Sequence, residues 1–313
     1  MSQSSKRYVS DELRDRILKA AKELNYVKSS VASGLRGVNQ KVIALLVPQF
    51  SNPFFTRLAV SVEEAASEND YNIFICDTKD NPDQELKILK NVIGHRVNGI
   101  IISPTAKGKE NTEILRQYGI PYVVVDRPLK DISEYDYVTN DNYQSGAMCA
   151  REFLDNGHRC FGYIGWESPI LNIKQRKQGF EDTISSQKEL YDFRCTEELS
   201  FESGYRVTKE LFSNNKGITA VLYGHHALAP GGLKYFREAG LQIPRDVSII
   251  LIGSPEWASI IVPSFTHIYQ PVEEMGRIAT NMLFDKINGK HKIYETRIMK
   301  NILVRGESVR RLK

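Results

Sequence analysis

From residue 42 onward, short apolar runs alternate with amphipathic segments. The runs are Val42–Val47, 73–76, Gly99–Ile102 and Tyr122–Val125. Between them, apolar positions recur at helical spacing near 53–69, 82–94 and 110–118. The alternation then starts again. It predicts helices near 142–156, 173–187, 203–214, 227–239 and 271–287, and strands near 161–164, Ala220–Tyr223 and 247–252. Short runs of uniformly apolar residues separated by such helices indicate βαβ units and parallel sheets covered on both faces. The predicted fold class is therefore α/β, with two doubly wound parallel-sheet subdomains. Two runs, Thr266–Tyr269 and 298–304, follow after the second half is complete. Chain returning from one lobe to the other accounts for them. Ligands bind beyond the carboxyl ends of strands in such sheets, so two facing sheets form a cleft that closes on a small molecule.

The first forty-one residues have a different texture. Ser10 precedes Asp11-Glu12-Leu13, an N-cap followed by acids in a first helical turn. Leu13, Ile17, Ala20, Ala21 and Leu24 then form one apolar stripe, ending near Asn25-Tyr26. A shorter segment over 29–37 has room for one or two helical turns, is weakened at Gly34 by about 1 kcal/mol relative to Ala, and in isolation is expected to be disordered. The expected domains are 1–41, then 42–139 plus 271–300, then 140–270 plus 301–313.

Charge sharpens the distinction. The net charge is +4, yet residues 1–41 carry nine basic and four acidic side chains, leaving the remainder close to neutral. A basic head on a near-neutral body points to a polyanionic partner, or else to a lysine- and arginine-rich solvated helix. No apolar run approaches the length of a membrane span, and the N-terminus offers no apolar stretch for a secretory signal. A cytoplasmic location without membrane attachment is the expectation. Cys76, Cys149, Cys160 and Cys195 show no C-x-x-C spacing and read as reduced thiols, with no metal or cofactor indicated.

Several segments in order resemble the LacI/GalR family of transcription regulators. Tyr8-Val9-Ser10 through Glu23-Leu24-Asn25-Tyr26 is similar to the third helix of that family's DNA-binding headpiece. Val31-Ala32-Ser33-Gly34-Leu35-Arg36 resembles its hinge helix. Ile43-Ala44-Leu45-Leu46-Val47-Pro48 with Ser51-Asn52-Pro53-Phe54-Phe55 resembles the first strand of its periplasmic-binding-protein-like effector domain and the loop after it. Arg96-Val97-Asn98-Gly99-Ile100-Ile101, Arg176-Lys177-Gln178-Gly179-Phe180 and Thr266-His267-Ile268-Tyr269-Gln270-Pro271 continue the match. The resemblance implies a homodimeric repressor that binds operator DNA and answers to a small effector, often a sugar.

At the DNA end, the resemblance implies roles for Arg14, Lys28, Ser33, Leu35 and Arg36. Leu35 either wedges between base steps or packs against the core lobe. Ser33-Gly34 stands where the family commonly has Arg-Ser. A complete headpiece carries a helix-turn-helix ahead of the Tyr-Val-Ser segment, whereas only residues 1–7 stand there in this sequence. The expectation is weakened sequence-specific DNA binding, with salt-sensitive phosphate contacts retained. The alternative is a stand-alone cytoplasmic sugar-binding protein.

At the ligand end, Phe54 and Phe55 either stack on a sugar face or serve the core. Asp126 sits at a strand end, where a carboxylate accepts hydroxyls. Arg176 matches the family position that donates paired hydrogen bonds to the effector. Asn172 and Gln270 follow by the same matching. Two departures stand out. His225-His226 occupies the place of a family Asn-Asp pair, and the family's Gly-Phe-Asp is met by Leu251-Ile252-Gly253, or by Gly253-Ser254-Pro255 if one residue slips, so that its ligand-binding aspartate is missing in either register. Adjacent histidines without a third ligand do not make a metal site. No nucleophile elbow, P-loop, G-x-G-x-x-G or H-E-x-x-H occurs, so an enzyme is not expected. A transporter-linked binding protein shares the fold but requires export.

Overall fold

Valine, isoleucine and leucine fill β1 (Val42–Val47), β3 (Gly99–Ile102) and β4 (Tyr122–Val125), and these strands lie side by side in parallel. The computed structural model describes residues 10–24, 40–185, 190–214, 217–290 and 293–312. Two units are distinguished, 1–41 and 42–313. In the first, the described part is α1 (Asp11–Glu23), with Leu13, Ile17 and Leu24 exposed. The short segment over 29–37, and with it Lys28, Ser33, Leu35 and Arg36, falls outside the described residues; Arg14 lies on α1.

The second unit contains two six-stranded sheets among the described residues. In the first sheet β2 (Asn72–Asp77) and β1 lead through β3 and β4 to β5 (Asp136–Asn140) and β11 (Thr296–Met299), all parallel. In the second, β7 (Leu190–Thr196), β6 (Cys160–Trp166), β8 (Ala220–Tyr223), β9 (Ser248–Ile252) and β10 (Thr266–Tyr269) run parallel. Only β12 (Ile302–Val304) is antiparallel there, against β10. The helices are α2 (Pro53–Ser67), α3 (Pro82–Gly94), α4 (Gly108–Gln117), α5 (Asn142–Asp155), α6 (Leu171–Ser185), α7 (Phe201–Asn214), α8 (Ala229–Glu238), the short α9 (Trp257–Ile260) and α10 (Val272–Ile287).

The inner strands of each sheet are buried on both faces, as the absence of polar alternation predicted, whereas edge strands such as β2 and β11 keep exposed residues. Alternate residues of β1 go to opposite faces: Ile43, Leu45 and Val47 meet Leu58, Val62, Met275 and Leu283, whereas Ala44 and Leu46 meet Leu89 and Leu115. The second sheet divides in the same way, with Val221, Ile249 and Leu251 on one face and Leu222, Ile250 and Ile252 on the other.

Three features depart from the pattern reading. The 298–304 run is two strands, not one; β11 edges the first sheet and β12 the second, with Asn301 between them. Strands β5 and β7 were not expected. In β5 the polar residues Asp136, Thr139 and Asn140 are buried, which hides its interior position from a hydropathy reading. In β7, Leu-Tyr-Asp-Phe-Arg-Cys-Thr mixes polar and apolar residues because the strand is an edge. The chain thus passes between sheets three times, after β5, after β10 and after β11. Side-chain amides join these passages. Gln270 Nε2 and Asn301 Nδ2 each donate to Asn140 Oδ1 at 3.1 Å.

Candidate functional site

Where the carboxyl ends of the two sheets face each other lies a cavity of about 600 Å³. It is lined by loops following β1, β2, β4, β6, β7, β8 and β10. Phe54, Phe55, Asp126, Asn172, Arg176, His225 and Gln270 all border it.

Asp126 follows β4 in a left-handed conformation, φ 64°, which an aspartate tolerates better than a branched residue. The surrounding hydrogen bonds hold it there. Its amide donates to Val138 O at 2.8 Å, and its carbonyl accepts from Tyr137 Oη at 2.6 Å and Thr139 Oγ1 at 2.9 Å. Asn172 Nδ2, from the second lobe, donates to both the Asp126 carbonyl and Oδ1 at 2.9 Å. Burial raises the Asp126 carboxyl above its usual range, against the pull of Arg127 and Arg176.

Arg176 stands one helical turn beyond Asn172 on α6, so both side chains share a face. Its Nε donates to Asn142 Oδ1 at 2.7 Å and its Nη1 to Gly224 O at 3.4 Å. Asn142 is the first residue of α5, whose Asp141 N-cap accepts from Gln144 N. The guanidinium is buried, and desolvation lowers its pKa, opposed by the charge of Asp126. Helix α6 reaches this position because glycines let it approach α5. A Cβ on Gly179 would stand 2.0 Å from Tyr143 O, and one on Gly146 2.0 Å from Arg176 O.

His225 and His226 stack with ring centroids 4.8 Å apart. Burial drives His225 well below the usual imidazole range and His226 down to about 4, helped by nearby positive charge. Both rings are therefore neutral at pH 7. The His225 Nδ1 accepts from Ala227 N at 3.2 Å, which leaves its Nε2–H as a donor. The pair thus presents neutral groups to the cavity. Among the described residues no cluster suitable for a metal ion occurs.

Phe54 and Phe55 meet edge to face at 5.1 Å. Phe55 belongs to the core of the first lobe as well as to the cavity wall, and Phe54 packs against that core. Gln270 borders the cavity while its Nε2 donates to Asn140 Oδ1. The sequence reading missed Trp166, Glu197 and Glu198, which also line the cavity. Its β6 stopped at residue 164, two short of the indole. A strand carried to its carboxyl end would have delivered Trp166 to the cleft, where Trp166 Nε1 donates to Glu197 O at 3.0 Å.

Residues 150–309 match the family model described as periplasmic binding protein-like domain. The repressor PurR of Mannheimia succiniciproducens is 28% identical over 310 residues, 98% of this chain and 92% of the relative. A ribose operon repressor of Halalkalibacterium halodurans is 28% identical over 92% of this chain and 85% of its own length. Among solved structures, a LacI-family transcriptional regulator from Enterococcus faecium with bound ribose superposes with a TM-score of 0.78 at 27% identity, covering 87% of this chain and 100% of the other. The paired sheets, the cleft at their strand ends and these relatives agree: the chain belongs to the periplasmic-binding-protein-like family, among the transcription regulators of the LacI/GalR type.

Proposed function

We propose that this regulator closes its two lobes on a small polyhydroxylated ligand of the sugar class, and that occupancy of the cleft controls DNA binding by a homodimer through the basic segment 1–41. In this reading the lobes are 42–139 plus 271–300 and 140–270 plus 301–313, the protein is cytoplasmic, and it performs no catalysis. The observation that carries it is the cavity itself. A buried carboxylate (Asp126), a buried guanidinium (Arg176) and three aromatic rings (Phe54, Phe55, Trp166) from both lobes meet around one space. Aromatic faces suit the apolar face of a sugar ring, while carboxylate and guanidinium suit its hydroxyls. The ribose held by the Enterococcus faecium relative supports the ligand class.

Calorimetric titration of the full chain with ribose and other mono- and disaccharides tests the ligand half. Saturable one-to-one binding that Arg176→Ala weakens is expected, and the reading falls if no member of the panel binds. A gel shift at physiological salt, on DNA selected by the protein and on a scrambled control, tests the other half. Equal affinity for the two DNAs, unchanged by ligand, rules out sequence-specific regulation by this chain.

A further inference from the structure

A second cavity, of about 510 Å³, opens beside the first, and Arg127 and Ile170 line both. The two spaces differ in charge. Around the first, five acids face three cations. Around the second, Lys109, Arg127, Lys130 and Lys174 face only Glu110 and Asp131. Arg127, at the junction, is already held by Asp80 at 2.6 Å. Lys109, Lys130 and Lys174 have no ion-pair partner among the described residues.

The same two segments build both compartments. On α6, Asn172 and Arg176 border the first while Leu171 and Lys174 border the second. In the turn after β4, Asp126 borders the first, Arg127 both, and Lys130 the second. A ligand that enters the first compartment and extends past Arg127 and Ile170 therefore meets lysines from both lobes. Lys109 and Lys130 come from the first lobe and Lys174 from the second.

We propose that the second compartment is an anion subsite, which takes a phosphate or carboxylate group attached to a polyhydroxylated ligand whose ring sits in the first. The proposal rests on the reading of the first cavity as the ligand site. Acid-rich walls accept hydroxyl protons, and unpaired ammonium groups attract the anionic end. Occupation of both compartments ties the lobes together by charge as well as by hydrogen bonds. The preferred effector class is thus a sugar phosphate or a sugar acid rather than a neutral monosaccharide.

The test pairs each neutral probe with its anionic counterpart in calorimetry on the full chain: ribose with ribose 5-phosphate, glucose with glucose 6-phosphate, and cellobiose with cellobionate. In at least one pair the anionic probe is expected to bind about tenfold tighter, with the ratio shrinking as salt rises, because the lysines are exposed. The combined variant Lys109→Gln, Lys130→Gln, Lys174→Gln is expected to bring that ratio to about twofold or less and leave neutral-probe affinity unchanged. A preference confined to the phosphates identifies a phosphate subsite, and one confined to cellobionate a carboxylate subsite. Neutral probes binding as well as their anionic partners, or an anion preference that survives the lysine substitutions, overturns the proposal while the sugar-binding reading stands. Binding by none of the six probes, to protein whose fold is intact by circular dichroism, overturns both.

Discussion

Arg176 is a buried cation whose hydrogen bonds to Asn142 and Gly224 leave part of its donor fork uncommitted beside Asp126. Charge-assisted hydrogen bonds of this kind contribute roughly 1.5–3 kcal/mol each. Arg176→Ala is therefore expected to weaken sugar binding by about tenfold to a hundredfold, read by calorimetry. Arg176→Lys retains the charge but loses the planar fork, and should recover only part of the loss. The histidines set the response to acid. His226 and His158 titrate near 4 in the folded protein and His225 is lowered as well, against about 6.5 when unfolded. The unfolded chain then binds more protons between those values, so stability is intact above about pH 6.5 and falls as the pH drops toward 4. Urea unfolding at pH 7.5 and pH 5 should show a loss at the lower pH of about 2 kcal/mol for each histidine held near 4. A midpoint that rises on acidification contradicts the assignment. All seven ligand-end candidates, legible from matched motifs and strand ends, lie around one cavity. The environment of each was not legible. Nothing in the string shows that Asp126 is held left-handed by Tyr137 and Thr139, or that Asn142 orients Arg176, because those partners come from other elements.

The helix pair α5–α6 shows how little space an element can spare. Gly179→Ala places a methyl group 2.0 Å from Tyr143 O, so the helices must separate. The expected cost is about 1–3 kcal/mol of stability. Because α6 carries Asn172 and Arg176, the same substitution should weaken sugar binding in protein that remains folded. Thermal unfolding and calorimetry on one preparation separate the two effects. Unchanged affinity in a destabilised variant would show that the helix spacing does not position the site. Elements with uniform texture, such as β1, β3 and α10, follow directly from their pattern. Strand β5 does not, because its Asp136 is satisfied by Lys286 and the Glu295 amide, residues far along the chain. The single run 298–304 conceals two strands because nothing local at Lys300-Asn301 announces a change of sheet. The reason is the bonding of Asn301 to Asn140 and Ser145.

At the scale of the molecule, the two lobes are joined directly by Arg57. Its Nη1 donates to Ser254 Oγ at 3.1 Å, across the lobes, while Nε and Nη2 pair with Glu273 at 2.6 and 2.8 Å. Ser254→Ala removes the bridge and leaves the ion pair. A hydrogen bond donated by a guanidinium contributes roughly 1.5–3 kcal/mol, so sugar affinity should fall by about tenfold or more if closure uses this contact. An unaltered dissociation constant would assign Ser254 to the surface alone. The interleaving of the lobes also has a consequence for synthesis. The face of the first sheet formed by Ile43, Leu45, Ile101 and Val123 is covered partly by Met275, Ala279 and Leu283 of α10. Those residues leave the ribosome only after the entire second sheet but its last strand has been made. At ordinary elongation rates that interval is on the order of ten seconds. Throughout it the nascent first lobe presents an oily, half-roofed sheet, a natural client for chaperones that hold partly made domains.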